Sequence, residues 1–473
     1  MKKISIYLLM LLLIVVTTNY SQNINDALRL SFPGIGANAK ALGMGNAYNA
    51  LSYDYSGTFF NPAGLGTATR PEFSGSFLYN SFDNSTEFFG NKTDFSNSTT
   101  NLSQAGLVLP MPTVQGSLVF GFGFNQSKNF NSALEFNGFN SGNTSMIQSL
   151  LGFGDISYEL YLTDTTGTQT PINGKLNQSG DIIEEGKINS WSLAGAIEVA
   201  KDVFFGGTLN IISGSYKSDR RYYEDDTRNV YDASVRTDPS EPFTADFQTF
   251  YFNDIIDWDI SGWDFKIGFL YKLPSFMKIG ATVKFPTQYT IKENYFVEAT
   301  SEFGDGTMVE IDPIRNNVEY DITSPYEFTG AFAYELADLT ISAEATFIDY
   351  TQMKFGDGLD QGLVSSNNRD IKDAFKEVLN YNFGFEYRLP DPFISIRGGF
   401  IMQPSAFKND PSEFNRKFIT AGLGIMPNKV LSLDVAYVHG WWKNIGDNYG
   451  FDDSRTYQDI TSTNVLLTVR YLF

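Results

Sequence analysis

Few residues in this sequence could support enzymatic chemistry. Its 473 residues include no cysteine and a single histidine, His439, which excludes zinc fingers, disulfide scaffolds and cysteine nucleophiles. His439 could act only as the base of a triad with a hydroxyl nucleophile and a carboxylate. Val435, Tyr437 and His439 are spaced two residues apart, so on a strand their side chains lie on one face, and His439 is expected to face outward with these apolar residues. We therefore expect no catalytic residues and no enzyme.

Clustered carboxylates offer a second kind of chemistry, because their oxygens are ligands that calcium prefers. The two clusters are Glu224-Asp225-Asp226 and Gly356-Asp357-Gly358-Leu359-Asp360. Neither has the full ligand spacing of a known calcium loop, so we interpret both as solvated residues of external loops. We expect no metal site and no cofactor.

The charge balance bears on possible partners. The chain has 34 basic and 54 acidic residues and a formal net charge of -20. Proteins that bind nucleic acid neutralise its phosphates with clustered Lys and Arg, and this sequence has no basic run. A nucleic-acid partner is therefore not expected.

The first residues have the pattern of a secretory signal peptide. Lys2 and Lys3 precede an apolar run from Ile4 to Val16, which is short for a membrane span of about 20 residues. We expect residues 1–21 to be removed by cleavage near Ser21. No later stretch is long and apolar enough to be a spanning helix, so the mature protein could cross a membrane only as a β-barrel.

The composition and the residue pattern of the remaining sequence change near residue 70. Residues 22–70 are rich in Gly, Ala and Asn and predict compact irregular structure with short helical turns. From Glu72 onward apolar and polar residues alternate, which is the pattern of strands with one apolar face. This alternation is clear in the last strand, whose apolar positions are Val465, Leu467, Val469, Tyr471 and Phe473. It recurs at residues 263–271, 277–285 and 339–347.

The connections between strands separate a barrel from a soluble β-sandwich, which alternation alone leaves open. Six short turns alternate with seven long polar stretches, so the sequence predicts 14 strands. The short turns lie near Pro110, Lys201, Pro274, Ala337, Pro390 and Asn428. The long stretches are residues 83–102, 125–187, 218–260, 291–325, 352–378, 403–414 and 442–459. Short turns at one end and long loops at the other are typical of an outer-membrane barrel.

The tryptophans support this interpretation. All five lie beside the long stretches and none beside a short turn: Trp191, Trp258, Trp263, Trp441 and Trp442. Outer-membrane barrels carry aromatic girdles at the two membrane interfaces. We therefore expect an all-β fold, a 14-stranded antiparallel transmembrane barrel.

Two stretches of the N-terminal part carry a family resemblance. Residues 40–48, Lys-Ala-Leu-Gly-Met-Gly-Asn-Ala-Tyr, and the motif Asn61-Pro62-Ala63 resemble the N-terminal hatch of FadL-type transporters, which take up long-chain fatty acids and other hydrophobic compounds. The resemblance extends over the mature chain. It implies a hatch at residues 22–70 inside a barrel at residues 71–473, in the outer membrane of a Gram-negative bacterium.

The resemblance also implies a transport route and partners. Ligand would be collected between external loops, would pass to a pocket in the barrel and would leave sideways through the wall. The expected partners are a hydrophobic small molecule such as a fatty acid and outer-membrane lipid, and the protein is expected to be a monomer. The glycine-rich strand at residues 121–124, Gly-Phe-Gly-Phe, could tolerate a kink at the exit, although a strand glycine also serves close packing.

Candidate ligand contacts fall into two groups, because a fatty acid needs an apolar slot and a cation for its carboxylate. The apolar candidates are Leu30, Phe32, Phe59 and Phe60, and the cationic candidates are Lys266, Lys284 and Arg397. Strand parity places the three cations inside the barrel. They could instead pair with inward carboxylates such as Glu344 and Glu386.

Two other functions remain open from the sequence. The cargo-shuttle proteins of type IX secretion resemble the same family, so an accessory barrel that binds a protein partner is the main alternative. A general porin or an adhesion barrel is the third possibility, and constitutive ion conductance would favour it.

Overall fold

The computed structural model describes residues 22 to 473, apart from residues 37, 153–154, 275 and 391–392. The predicted signal peptide, residues 1–21, lies outside the described residues. Within the described residues, no helix is both long and apolar enough to cross a membrane.

The strands form one antiparallel sheet that closes on itself, because β1 pairs with β19 as well as with β2. The strands are β1 (Glu72–Phe88), β2 (Asn91–Met111), β3 (Leu118–Asn129), β4 (Ser132–Phe139), β5 (Asn177–Ala200), β6 (Val203–Asp225), β7 (Phe247–Leu273), β8 (Met277–Lys284), β9 (Gln288–Phe303), β10 (Met308–Glu310), β11 (Ile314–Thr323), β12 (Glu327–Leu336), β13 (Leu339–Asp349), β14 (Lys354–Phe355), β15 (Glu377–Arg388), β16 (Ile394–Gln403), β17 (Arg416–Asn428), β18 (Leu431–Asp447) and β19 (Arg455–Leu472).

Several of these segments continue one another along the wall. The pairs β3 and β4, β8 and β9, and β13 and β14 each form one interrupted wall strand, and β10, β11 and β12 together form another. The wall therefore has the 14 strands that the alternation of turns and loops predicts.

The alternation of side chains gives the wall two different faces. On β1, Phe73, Phe77 and Tyr79 point outward and are exposed, whereas Ser74 and Ser76 point inward and are buried. The same division holds on β19 and the other wall strands. An apolar outer face and a polar interior are the arrangement that a bilayer stabilises.

The strands extend well beyond the apolar part of the outer face. Stretches that the sequence predicts to be loops are therefore partly strand. Strands β5, β6 and β7 have 24, 23 and 27 residues, whereas about 9–11 residues span a bilayer. Residues 83–102, predicted to be a loop, instead complete β1 and β2, which meet in a tight turn at Phe89 and Gly90. Outside the bilayer the outer face of a strand is in water and not in lipid, so polar composition there does not indicate a loop.

The external half has an apolar core of its own. Residues 140–176 contain helices α4 (Met146–Ser149) and α5 (Ile156–Glu159), which pack against the projecting strands. The rings at the centre of this core are fully or nearly fully buried: Phe88, Phe136, Tyr222, Phe250 and Tyr449. A further helix, α6 (Gln361–Ala374), packs over the interior between β14 and β15.

The tryptophans only partly form the expected girdle. Trp191, Trp263 and Trp441 are exposed on the outer face. Trp258 is completely buried inside the barrel, and Trp442 packs against Phe418 in the interior. The prediction of an interfacial role is therefore wrong for Trp258 and Trp442, because proximity to a loop in sequence does not determine which face a side chain takes.

Candidate functional site

The N-terminal segment, residues 22–71, lies against the inner face of the wall. It contains three helices, α1 (Ile24–Ser31), α2 (Ala39–Gly43) and α3 (Pro62–Leu65). Helix α2 packs against strands β16 to β19, and α3 packs against β5, β6 and β7. All residues of α2 and α3 are buried. The precise division at residue 70 between a hatch and a barrel stays a prediction.

The motif Asn61-Pro62-Ala63 forms the start of α3 and fastens it to the wall. The Asn61 side chain accepts a hydrogen bond from the Ala63 N–H at 3.0 Å and donates to the Phe269 carbonyl at 3.0 Å. Pro62 occupies the first turn, where a missing N–H costs nothing. The wall beneath is glycine, and a Cβ on Gly206 would lie 2.5 Å from the Pro62 carbonyl carbon. Only glycine allows this close approach.

A buried ionic network fastens the other side of the segment. Arg397 donates to Glu386 and to Asp434, each at 2.7 Å. The Lys40 Nζ of α2 lies 3.8 Å from Glu386. On the last strand, Arg470 lies 3.7 Å from Asp54 and 3.8 Å from Glu72. Through Lys40 and Asp54, these pairs connect the N-terminal segment with β15 and with the last strand, β19.

The wall is interrupted at residues 126–131, between β3 and β4, and we call this place the wall break. Strand β3 follows β2 up to the pair Asn125 and Gln104. Above it, the register with β5 shifts between Gln126 and Lys128, and β4 resumes pairing with β5 at Ser132. On the edge of β2 that faces β3, residues 91–103 pair with no strand among the described residues. The break lies at the level of the last outward apolar residues Leu102, Phe124 and Trp191.

The prediction of a kink at residues 121–124 is therefore wrong in position. Gly121 to Phe124 stay in register with both β2 and β5. Gly121 instead packs closely, since a Cβ there would lie 3.0 Å from Thr58 of the N-terminal segment. Asparagine and lysine side chains, and not glycines, bridge the break. Their contacts are Asn131 Nδ2 to the Asn97 carbonyl at 3.0 Å, Asn129 Nδ2 to Thr99 Oγ1 at 3.3 Å and Lys187 Nζ to Asn101 Oδ1 at 3.0 Å.

A cavity of about 440 Å³, the large cavity, lies between the N-terminal segment and the wall break. Its walls include Phe32, Pro33 and Ile35 from the segment and residues 126–131 from the break. Its charged lining residues are the cations Arg29, Lys128, Arg416 and Lys443 and the carboxylates Glu184 and Asp410. The large cavity thus has a cationic surplus inside a strongly acidic protein.

The cations of the large cavity differ in their partners. Arg29 pairs with Asp26 at 2.7 Å and with Glu184 at 3.3 Å. Lys128 donates to the Leu30 carbonyl, and Lys443 lies 3.5 Å from Glu413. Burial, partly offset by Arg29, raises the pKa of Asp26 to about 6.

Arg416 is the cation of this cavity that keeps its hydrogen-bonding capacity free. Its guanidinium lies 4.2 Å from the Phe32 ring centre and 5.0 Å from that of Trp442. Among the described residues it forms no ion pair and no side-chain hydrogen bond. A guanidinium held between two rings presents a planar fork of donors to an anion.

The residues predicted as ligand contacts are distributed over three places. Leu30 is fully buried in the core, and Phe32 lines the large cavity. Phe59 and Phe60 line a small cavity of about 140 Å³ together with Lys266 and Lys284. In that cavity Lys266 donates to the Phe59 carbonyl, and Lys284 pairs with Glu327 at 2.9 Å.

Arg397 lines neither cavity and belongs to the ionic network. The ligand-binding roles of all these residues stay predictions. Sequence reasoning missed Arg416, Trp442 and Lys128. Arg416 could have been found from its parity, because it alternates with the inward residues Phe418 and Thr420 on β17.

These observations define a class of protein: a closed 14-stranded transmembrane barrel with an apolar exterior and an N-terminal segment packed within it. As predicted, His439 faces outward, and its ring stacks on that of Trp441 with the ring centres 6.2 Å apart. No protein-family model matches the sequence, and no curated protein sequence does either.

Three solved structures share this architecture. A TodX deltaS2S3 mutant monoaromatic hydrocarbon channel has a TM-score of 0.58 and 15% identity, with 93% of this chain and 100% of that chain covered. A Pseudomonas aeruginosa FadL homologue has a TM-score of 0.56 and 13% identity, with 94% and 99% covered. The P. putida toluene transporter TodX has a TM-score of 0.55 and 14% identity, with 93% and 99% covered. The chain has the fold of the FadL-type channels.

Proposed function

We propose that the protein is an outer-membrane channel of a Gram-negative bacterium that takes up hydrophobic compounds, in particular long-chain fatty acids. The observation that carries this proposal is the continuity between the large cavity and the wall break, since residues 126–131 of the break also line the cavity. A water-filled pore offers no advantage to compounds that dissolve in lipid, because their free energy is higher in water than in an apolar environment.

The proposed route has three stages. Ligand enters from the external half and occupies the large cavity between the N-terminal segment and the wall. It then leaves sideways through the wall break into the outer leaflet. The N-terminal segment acts as a hatch, held by Asn61-Pro62-Ala63 on one side and by the ionic network on the other.

Arg416 supports a fatty acid as ligand over an uncharged hydrocarbon. A carboxylate is the natural partner of a guanidinium that has no other anion. Phe32 and Trp442 flank this guanidinium and would contact the first methylenes of the chain. The cationic surplus of the cavity acts in the same direction.

Mass spectrometry of lipid extracted from the mildly solubilised full-length protein tests this function. We expect long-chain carboxylic acids bound at a ratio near one per chain, and uptake of labelled hexadecanoate by cells that express the protein. Constitutive ion conductance in planar bilayers, with no apolar ligand bound, would overturn the proposal in favour of a porin. A tightly bound protein with an empty cavity would instead support the secretion-accessory alternative.

A further inference from the structure

Lys128 lies in the wall break and lines both the large cavity and the small cavity around Phe59 and Phe60. Among the described residues it is the one charged residue that the two cavities share. The N-terminal segment runs against the same place, since a Cβ on Gly34 would overlap the Ser127 carbonyl oxygen. The Lys128 side chain therefore lies where the segment, the cavities and the proposed exit meet.

The ammonium group of Lys128 has a hydrogen-bond acceptor but no counter-ion. It forms no ion pair within the described part of the chain, and it donates to the Leu30 carbonyl near the end of α1. Lys284, Glu327 and Asp264 are near enough to influence Lys128, but Lys284 already pairs with these carboxylates at 2.9 and 3.9 Å. An ammonium carries three donors, so Lys128 keeps donors for an anion. Because its side chain is partly buried, an anion there would stabilise its charge.

Lysine side chains also cap the last carbonyls of helices, which is the simpler role for Lys128. The Leu30 carbonyl has a second donor, however, because Tyr289 Oη lies 3.3 Å from it. A neutral hydroxyl thus binds the same oxygen, and capping of α1 does not require a cation at the exit.

The height of Lys128 on the wall suits a carboxylate that is leaving. The wall break lies at the level of the last outward apolar residues, where hydrocarbon gives way to head groups. A fatty acid that leaves sideways would carry its carboxylate at this level and its chain in the hydrocarbon. Arg416 lies elsewhere around the large cavity, because β18, β19, β1 and β2 separate its strand, β17, from β3. The cavity therefore has one cation away from the exit and another at it.

We propose that Lys128 is a second carboxylate site, which receives the head group of the ligand from Arg416 and binds it at the wall break during exit. This inference rests on the proposed function. Lys128 lowers the barrier to exit because the carboxylate exchanges one cation for another and does not cross the wall unpaired. An alcohol of the same length gains only a hydrogen bond there and no charge interaction. Arg416 then determines the affinity of the cavity, and Lys128 determines the exit rate of charged ligands.

The test measures the uptake rate and the Kd separately for hexadecanoate and hexadecanol. Cells that express the full-length protein receive saturating labelled ligand, and displacement of a fluorescent fatty acid from the solubilised protein gives the Kd. Lys128→Met keeps an unbranched side chain without the charge, and Lys128→Arg keeps the charge. Lys187→Met is the matched control, because Lys187 bridges the same break to Asn101 at 3.0 Å but lines neither cavity. Heat-dependent mobility on gels reports folding.

Lys128→Met should lower the saturated uptake rate of hexadecanoate about tenfold, the effect of one hydrogen bond to a charged group. Its Kd for hexadecanoate should change by less than about threefold, because Arg416 is retained. The uptake of hexadecanol by Lys128→Met should stay native, and so should the uptake of both ligands by Lys128→Arg and Lys187→Met. Equal slowing of both ligands in Lys128→Met would overturn the inference and leave Lys128 as a cap of α1, and a native hexadecanoate rate in that variant would overturn it as well. Failure of the native protein to bind or take up hexadecanoate would instead refute the proposed function.

Discussion

Replacement of Arg416 by methionine gives a direct measure of carboxylate recognition in the large cavity. Methionine keeps an unbranched side chain between Phe32 and Trp442, so the packing of the two rings is retained. The substitution removes the guanidinium that has no other anion among the described residues. Since no carboxylate of the protein loses its partner, the fold should be little affected.

The size of the effect follows from the environment of Arg416. A hydrogen bond to a charged group contributes about 1.5–3 kcal/mol, and Arg416 is partly exposed to the cavity, which favours the lower half of that range. The Kd for hexadecanoate should therefore rise about 10- to 40-fold, since about 1.4 kcal/mol corresponds to a factor of ten. The Kd for hexadecanol should change by less than about twofold, because it carries no charge.

Displacement of a fluorescent fatty acid from the detergent-solubilised protein at pH 8, where hexadecanoate is ionised, measures both constants. Lys408→Met is a matched control, because Lys408 lies outside the cavity and donates to a backbone carbonyl. Arg416→Lys should fall between the native protein and the methionine variant, since lysine keeps the charge but not the fork. Equal losses for hexadecanoate and hexadecanol in Arg416→Met would refute the carboxylate assignment.

Three further outcomes follow from the same contacts. Arg397→Met should lower the free energy of unfolding by about 3–5 kcal/mol, because it leaves the buried carboxylate of Asp434 without its ion-pair partner, yet the Kd for hexadecanoate measured beside it should not change; a large loss of binding would return Arg397 to the ligand site. Gly206→Ala should displace Pro62 and raise ion conductance in planar bilayers, whereas Gly330→Ala, whose Cβ would meet open space, should not; equal conductance would argue against the close docking of α3. Burial raises the pKa of Asp26 from 3.8 to about 6, so the protonated form stabilises docked α1 below about pH 4 and this stabilisation is lost as the pH rises through 6. Hydrogen exchange of α1, corrected for intrinsic rates, should therefore quicken between pH 4 and 6 in the native protein and not in Asp26→Asn; identical pH profiles would contradict this assignment.

The barrel itself was predictable because its physical cause acts on every second residue. Lipid on one side and a polar interior on the other impose the alternation seen in β19, and six short turns set the number of strands. The lengths of the strands were not predictable in the same way. Residues 83–102 project beyond the bilayer, where the outer face is in water and has no need of apolar side chains, and so a strand there has a composition close to that of a loop.

The site was predictable only in outline. Strand parity correctly placed Lys266, Lys284 and Arg397 inside the barrel, but parity does not show which inward cation already has a carboxylate partner. That depends on residues far apart in sequence, such as Arg397 and Asp434. Arg416 differs from the other inward cations because its neighbours are aromatic rings and not carboxylates, and only the structure shows this.

The pairing of β1 with β19 has a consequence for how the chain folds. Glu72 pairs with Leu472, four hundred positions later, so closure of the sheet depends on the most distant contacts and should be a late, slow step. Arg470 on the closing strand contacts both Glu72 and Asp54, and Asp54 belongs to the segment enclosed by the wall. The contacts of Arg470 are complete only when the segment is inside and the two ends of the sheet are paired. Enclosure of the segment and closure of the sheet therefore stabilise one another.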